Sequence, residues 1–294
     1  MQSPVRFHSA TTFEEVVDAL DELGSEARLI AGGTDVMIQL ARGELSPQVL
    51  LHIERVPGLG TVAAGEGGLH LGALVTHAMV RSDPATCALA ALADAARQVG
   101  GWQTQAIGTV VGNIVNASPA ADLTPGLLVH DAMVHLSRRG SERTLPLDQF
   151  VKGRRETARE PQELVTGITI APTPEHSGEA FVKVGRRKAM EVSIVAVATR
   201  LVVDPSTGTI ADARVAVGAV SPIPHRAPAS EQLLIGQRPT ADLFAAAGRA
   251  ALEGADPIDD VRASRRYRLA VLPRAVAQAL SRSSDHVDAA RSVA

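Results

Sequence analysis

The chain has 294 residues with 29 basic and 32 acidic side chains, a formal net charge of −3, and one cysteine, Cys87. Charge this evenly balanced leaves no basic footprint for nucleic acid or an anionic membrane surface, and one cysteine excludes a disulfide framework or a four-cysteine iron–sulfur or zinc site within the chain. A hydrophobic share of 45% is ordinary for a globular protein, but aromatics are only 2%, so the core has to be built from Ala, Val, Leu and Ile.

The N-terminal segment MQSPVRFHSA lacks the apolar stretch of a signal peptide. No run approaches the roughly 18 uninterrupted apolar residues of a membrane span, so the expectation is a cytoplasmic protein. The first predicted helix starts at Thr12, with Glu15 three residues on as in a capping box. Val16, Val17, Leu20 and Leu23 form its apolar stripe, and Gly24 stops it. A short strand, Arg28-Leu29-Ile30-Ala31, is broken by Gly32-Gly33. Thr34 or Asp35 then caps a short helix over 35–42, and a strand follows from Val49 to Ile53. Residues 5–55 thus read β-α-β-α-β, a small α/β unit.

Beyond Pro57-Gly58, short strands near 69–73, 132–137 and 163–170 surround helices near 76–82 and 84–98, with Pro84 at a first helical position. Cys87 falls in that second helix and reads as a structural thiol. Gly100 to Pro125 reads as a long irregular segment, and a loop of that length inside a domain is usually functional. Pro172 to Gly178 is a linker. Strands follow at 180–184, 193–203 and 213–220, the last two joined by the turn Asp204–Gly208. Helices at 240–253 and about 262–281 precede a polar tail that reads as frayed.

Three stretches carry chemistry. In Leu29-Ile30-Ala31-Gly32-Gly33-Thr34-Asp35-Val36, glycines let a ligand approach the backbone closely and the exposed amides suit a phosphate; the same pattern also serves as a plain turn with a Thr cap. Gly108 to Asp122 places small and amide residues inside an apolar stretch, where a ligand or an internally bonded loop could satisfy the backbone. Phe181 to Lys188 is a charge run on an apolar strand, mostly a solvated face, in which Lys183 alternates with Phe181 and so points inward. Gly58-Leu59-Gly60 mimics part of a dinucleotide fingerprint but follows Pro57 and opens no amphipathic helix. The nine histidines show no metal-pairing spacing, so no metal site is expected.

LIAGGTDVM, IGTVVGNIVNASPAADLTP and FVKVGRRKAMEVSIVAVA, in that order and spacing, resemble the FAD-binding medium subunit of molybdenum hydroxylases, the family of xanthine dehydrogenase and carbon monoxide dehydrogenase. The likeness runs from about residue 5 to residue 280. It implies an α+β chain: a two-subdomain FAD-binding fold of the vanillyl-alcohol-oxidase type over residues 1–175, with subdomains of about 1–56 and 57–175. A smaller C-terminal α+β domain, an antiparallel sheet with helices, would span 176–294.

The resemblance further implies that Leu29, Ile30, Ala31, Gly32, Gly33, Thr34, Asp35 and Val36 wrap the FAD pyrophosphate. Thr109, Val110, Val111, Gly112 and Asn113 would form a second clamp, joined by Asp122, with Asn116 and Ser118 as further contacts. Val99 and Val165 would be apolar contacts, and Lys183 would sit near the flavin or its ribityl chain; His77 also matches a family pattern. Three positions depart from it. Val111 stands where a glycine is usual, Gln103-Thr104-Gln105-Ala106 replaces a basic-Asn-Arg run, and Val192 replaces an aromatic residue of some relatives.

The function so implied is oxidoreductase electron transfer. [2Fe-2S] clusters on a small partner subunit would feed this FAD, a large partner subunit would carry the molybdopterin cofactor, and the whole would assemble as a dimer of heterotrimers. No residue of this chain need act as a general acid or base. A stand-alone FAD-dependent oxidoreductase acting on a small molecule is the alternative, and a flavin-free assembly module is a third; flavin content and isolated-chain turnover separate the three.

Overall fold

The computed structural model describes residues 5–65, 67–187 and 189–293. Lys188, at the end of the charge run, lies outside them. The first subdomain holds β1 (Arg6–Ser9), α1 (Phe13–Leu23), β2 (Ala27–Ile30), α2 (Val36–Ala41) and β3 (Val49–His52). Its three strands are parallel in the order β1-β3-β2, as the alternating element pattern requires. The Glu15 N–H donates to Thr12 Oγ1 at 3.1 Å, so the helix start is as expected. The Glu15 carboxylate, however, accepts from the Thr11 N–H at 2.7 Å, one residue earlier than in a capping box.

The second subdomain is a five-stranded antiparallel sheet in the order β4-β5-β10-β6-β7. Its strands are β4 (Val62–Gly65), β5 (Gly68–Gly72), β6 (Met133–Arg138), β7 (Ser141–Pro146) and, after a small hairpin of β8 (Val151–Gly153) and β9 (Glu156–Thr157), β10 (Leu164–Ile170). β4 and β7 are edge strands whose residues are mostly exposed, so they lack the apolar run that marks β10 in the sequence. The helices here are α3 (His77–Ser82), α4 (Pro84–Cys87), α5 (Ala90–Arg97), α6 (Trp102–Ile107), α7 (Val110–Val115), α8 (Leu123–Leu128) and α9 (Leu147–Phe150). The helix expected over 84–98 is therefore two, broken where Leu89 takes φ −87° and ψ 78°. Cys87 is half-buried, its thiol 3.1 Å from the Arg81 carbonyl.

The segment 100–125 is not irregular; it folds into α6, α7 and the start of α8. Helices of six residues are too short to display a 3.6-residue period, and this segment is held by its neighbours. Gln105 is buried and donates to the carbonyls of Arg97 and Val99 at 3.0 and 2.9 Å. That tether fixes the floor of the cleft described below.

The third unit is the antiparallel sheet β11 (Ser177–Val184), β12 (Val195–Val203), β13 (Ile210–Gly218) and β14 (His225–Arg226), with α10 (Pro228–Leu234), α11 (Ala241–Ala250) and α12 (Arg265–Val293). Alternation along the strands divides the sheet between two cores. Phe181, Ala196, Ala198 and Ala216 pack into the core of the second subdomain, while Val195, Val197, Val215 and Val217 pack under α11 and α12. Small residues on the first face bring the sheet close to α5 and α8. The tail read as frayed is helical to Val293. Its polar residues have partners: Ser283 Oγ lies 2.7 Å from Thr199 Oγ1, and Val287 is buried beside Gly178.

Candidate functional site

The Gly32-Gly33 turn joins β2 to α2, and its two glycines are there for different reasons. Gly33 has φ 68°, a left-handed conformation that disfavours a side chain. A Cβ on Gly32 would lie 1.7 Å from the Ile107 carbonyl oxygen at the end of α6. The first turn is thus pressed directly against the segment that leads into α7. Asp35 occupies the N-cap position of α2, but its carboxylate makes no cap bond. It accepts instead from Asn116 Nδ2 at 2.8 Å. Among the described residues, the N–H groups of Gly32, Gly33, Thr34 and Asp35 donate to no carbonyl or side chain.

Facing this turn, Thr109 caps α7 by accepting from the Gly112 N–H at 2.9 Å. A bridge to Thr76 ties the Gly108 carbonyl to the His77 N–H at 3.0 Å and the Val110 N–H to the Val75 carbonyl at 2.9 Å. The Asn113 N–H donates to the Thr109 carbonyl at 3.0 Å. The second stretch therefore keeps most of its amides for itself. Val111 has an ordinary right-handed helical backbone and is buried, so no glycine is needed there. What this side presents is side chains: Asn113, whose Oδ1 is buried without a partner, and His77, whose Nδ1 is likewise buried and unpaired.

Between the two lies a cleft of about 780 Å³, its open mouth included. Of the residues singled out from the sequence, Leu29, Ala31, Gly32, Gly33, Thr34, Asp35 and Val36 line it from one side. Val99, Thr109, Gly112, Asn113 and Asn116 line it from the other. Ile30, Val110, Val111 and Val165 do not; each is in the hydrophobic core, because their side chains alternate away from the cleft on strand or helix. Asp122 and Lys183 do not line it either. They form an ion pair at 2.6 Å in which each side chain is 7% exposed. Lys183 Nζ also donates to the Gln98 carbonyl at 2.8 Å, and Ser193 donates to Asp122. Burial pushes the Asp122 carboxyl up, and the Lys183 ammonium with the Ser193 hydroxyl pulls it part of the way back. The pair braces residue 98, one position before the cleft wall at Val99, from the C-terminal sheet. Ser118 lies outside the lining and bonds the Ala120 N–H at 3.3 Å. Val192, where some relatives carry an aromatic residue, is exposed.

Arg28, His77, Thr104, Gly108, Val115 and Arg159 also line the cleft. Gly108 opens the second stretch read from the sequence and His77 is singled out there too, while Arg28 directly precedes the first stretch, so proximity alone would have found it. Arg159 arrives from the loop before β10 and had no local signal.

The family described as the FAD binding domain in molybdopterin dehydrogenase matches residues 3–174, and the CO dehydrogenase flavoprotein C-terminal domain matches residues 180–283. The chain belongs to this family of FAD-binding medium subunits. It is 30% identical over 275 residues, 93% of this chain and 92% of the relative, to the 6-hydroxypseudooxynicotine dehydrogenase complex subunit alpha of Paenarthrobacter nicotinovorans. It is 29% identical over 266 residues, 90% of each chain, to the xanthine dehydrogenase FAD-binding subunit of Escherichia coli O157:H7. Among solved structures, carbon monoxide dehydrogenase from Hydrogenophaga pseudoflava superposes with a TM-score of 0.90 at 27% identity, covering 97% of this chain and 99% of that one.

The cleft of this medium subunit fits its cofactor on structural grounds. Unused turn amides and an unpartnered, buried Asn113 oxygen facing one cleft are polar groups that a bound dinucleotide would satisfy. Among the described residues no cluster of three metal-ligating side chains exists, and no helix is long and apolar enough to cross a membrane.

His77 yields a pH prediction. Burial lowers its pKa from 6.5 to about 4. The unfolded chain takes up this proton near pH 6.5 while the folded one resists it, so stability is unaffected above pH 6.5 and is lost as pH falls toward 4. The loss amounts to about 3 kcal/mol. His77→Asn should flatten the fall in melting temperature over that window relative to wild type; identical slopes for the two proteins would refute the assignment.

Proposed function

We propose that this chain holds one FAD in the cleft between the Gly32-Gly33 turn and the 108–116 segment. It would serve as the electron-transferring flavoprotein subunit of a molybdenum-containing hydroxylase or dehydrogenase. The observation that carries the reading is the turn itself: four consecutive amides with no acceptor among the described residues, facing the unpaired Asn113 oxygen across a cleft.

The residues divide the work. The amides of Gly32 to Asp35 take the diphosphate, since a charged acceptor makes bonds of about 1.5–3 kcal/mol each where water would otherwise sit. Val99 and Val115 supply apolar wall, and Thr109, Asn113 and Asn116 polar anchors for the remaining hydroxyls and ring edges. His77 stays neutral at physiological pH, so it can donate or accept a hydrogen bond without adding charge. Asp122 and Lys183 act from behind the wall by fixing the 98–99 segment. Residues 1–175 would form the FAD-binding unit and residues 176–294 the domain that braces it.

When bound, FAD supplies redox chemistry between [2Fe-2S] clusters on a small partner subunit and an external acceptor, with the molybdopterin cofactor on a large partner subunit. The protein's part is to bind and orient the flavin and to exclude water from it. Relatives named as subunits of dehydrogenase complexes support the assembly, and the lone cysteine requires any cluster to lie on another chain.

The test is the composition of the complex purified from its native host. Flavin, iron and molybdenum should co-purify, with one FAD released per copy of this chain. A complex holding iron and molybdenum but no flavin absorbance would overturn the reading, as would substrate turnover by this chain with FAD alone.

A further inference from the structure

Two arginines, Arg28 and Arg159, line the cleft, and Arg155 lies near enough for its charge to act on Arg28. Arg28 is on β2, and among the described residues its guanidinium has neither an ion pair nor a hydrogen bond. Arg159 lines the cleft as well, and among the described residues its guanidinium donates only to the carbonyls of Pro161 and Glu163, at 3.3 and 2.7 Å. The Glu163 carboxylate is already engaged by Arg143, through two bonds of 2.6 and 2.7 Å. Arg155 donates to Asn116 Oδ1, whose amide nitrogen in turn occupies Asp35. Among the described residues, neither the Glu163 nor the Asp35 carboxylate makes a direct ion pair with Arg28, Arg155 or Arg159.

The cluster is also held in place at a conformational cost. Arg155 has φ 63°, and its N–H donates at 2.9 Å to the carbonyl of Ala117, which has φ 45°. Two non-glycine residues in the left-handed region, bonded to each other, fix the segment that carries Arg155. The charges act on one another: burial and then the charge of Arg155 lower the pKa of Arg28, and burial and then Arg28 lower that of Arg159, with the Glu163 carboxylate offsetting part of the fall. Unpaired half-buried cations are uncommon because desolvation is uncompensated. Arg28 sits on the strand that leads into the Gly32-Gly33 turn, and the turn amides bring only partial charge, so Arg28 and Arg159 are the full positive charges of the cleft lining that could balance an anion.

We propose that Arg28 and Arg159, with Arg155 behind them, form a cationic wall that neutralises the diphosphate of FAD and sets how tightly this subunit holds it. The proposal rests on the FAD reading above. It makes the flavin-free chain self-repelling at this point and the loaded chain charge-balanced, so binding strength and apo stability are set in opposition by the same side chains.

The test is calorimetric titration of FAD into the full flavin-depleted chain at low and at high salt, together with melting curves with and without FAD. Arg28→Met keeps the apolar stem and loses no hydrogen bond; Arg159→Met is the companion variant, and Arg28→Lys retains the charge. Both Met variants should weaken FAD about tenfold, and their affinity should depend less on salt than that of wild type. Arg28→Met should in addition melt higher than wild type without FAD and gain less from adding it, while Arg28→Lys should restore most of the affinity and salt dependence. A residue that served only the fold would lower the apo melting temperature and leave the salt dependence alone. Wild-type affinity and salt dependence in both Met variants would overturn the proposal while leaving the FAD reading intact. Failure of the wild-type chain to bind FAD would instead remove the reading and the proposal together.

Discussion

Gly32→Ala is expected to weaken FAD binding about 100-fold or more and to lower the melting temperature by about 5 °C. An ideal Cβ there would sit 1.7 Å from the Ile107 carbonyl oxygen and 2.4 Å from its carbon, and both are backbone atoms that no rotamer change can remove. The two turns would have to separate by at least about 1.3 Å to reach even a 3.0 Å contact. Forced expansion of a packed contact costs about 1–3 kcal/mol, and about 1 kcal/mol corresponds to some 2–4 °C in a chain of this size class. The loss of binding should exceed the loss of stability, because the displacement falls where amides and side chains must converge on one ligand. Gly60→Ala is the control: the nearest atom to its Cβ would be Leu74 Cβ at 3.9 Å, and no change is expected. Calorimetry and a melting curve on the three proteins decide it. Retention of FAD affinity within about threefold by Gly32→Ala would show that the closeness of the two turns is not what shapes the site.

The buried pair of Asp122 and Lys183 should show the second largest effect. With each side chain 7% exposed and the charged atoms 2.6 Å apart, removing one partner leaves the other charged in a dry setting at a cost of about 3–5 kcal/mol. Lys183→Met is therefore expected to unfold at clearly lower urea. The double variant Asp122→Asn with Lys183→Met should recover most of the loss, because the amide can still accept from Ser193 and no buried charge remains. Lys183 also holds the Gln98 carbonyl at 2.8 Å, so the single variant should bind FAD more weakly although Lys183 does not line the cleft. Two single costs that simply add in the double-mutant cycle would show that the pair is not coupled.

These two sites differ in how far the sequence discloses them. Gly32-Gly33 is visible as a turn because glycine's freedom is a local property, and a strand before it and a short helix after it leave few other conformations. The division of labour is not visible: Gly33 serves its own φ, whereas Gly32 serves a carbonyl some 75 positions away. Lys183 was legible as an inward-facing cation from its alternation with Phe181, but its partner and its place behind the wall depend on how the third sheet docks. Thr109 and Asn113 were legible as polar residues in an apolar stretch. That Thr109 spends its hydroxyl on a helix cap and Asn113 keeps an unpaired oxygen follows from where α7 ends up.

The sequence by itself determined what short-range rules decide: the β-α-β-α-β start, the capped first helix, the diglycine turn, three of the four strands of the C-terminal sheet, and the family to which three spaced motifs belong. Tertiary structure alone decided the rest. It turned the 100–125 segment into three short helices pinned by Gln105, extended a polar tail into the helix that covers Gly178, and carried Arg159 to Arg28 across most of the first two subdomains. The physical reason is the same in each case. Backbone conformation is set by neighbours along the chain, whereas the fate of a polar side chain is set by the partner or solvent it meets, and that partner is brought by the fold.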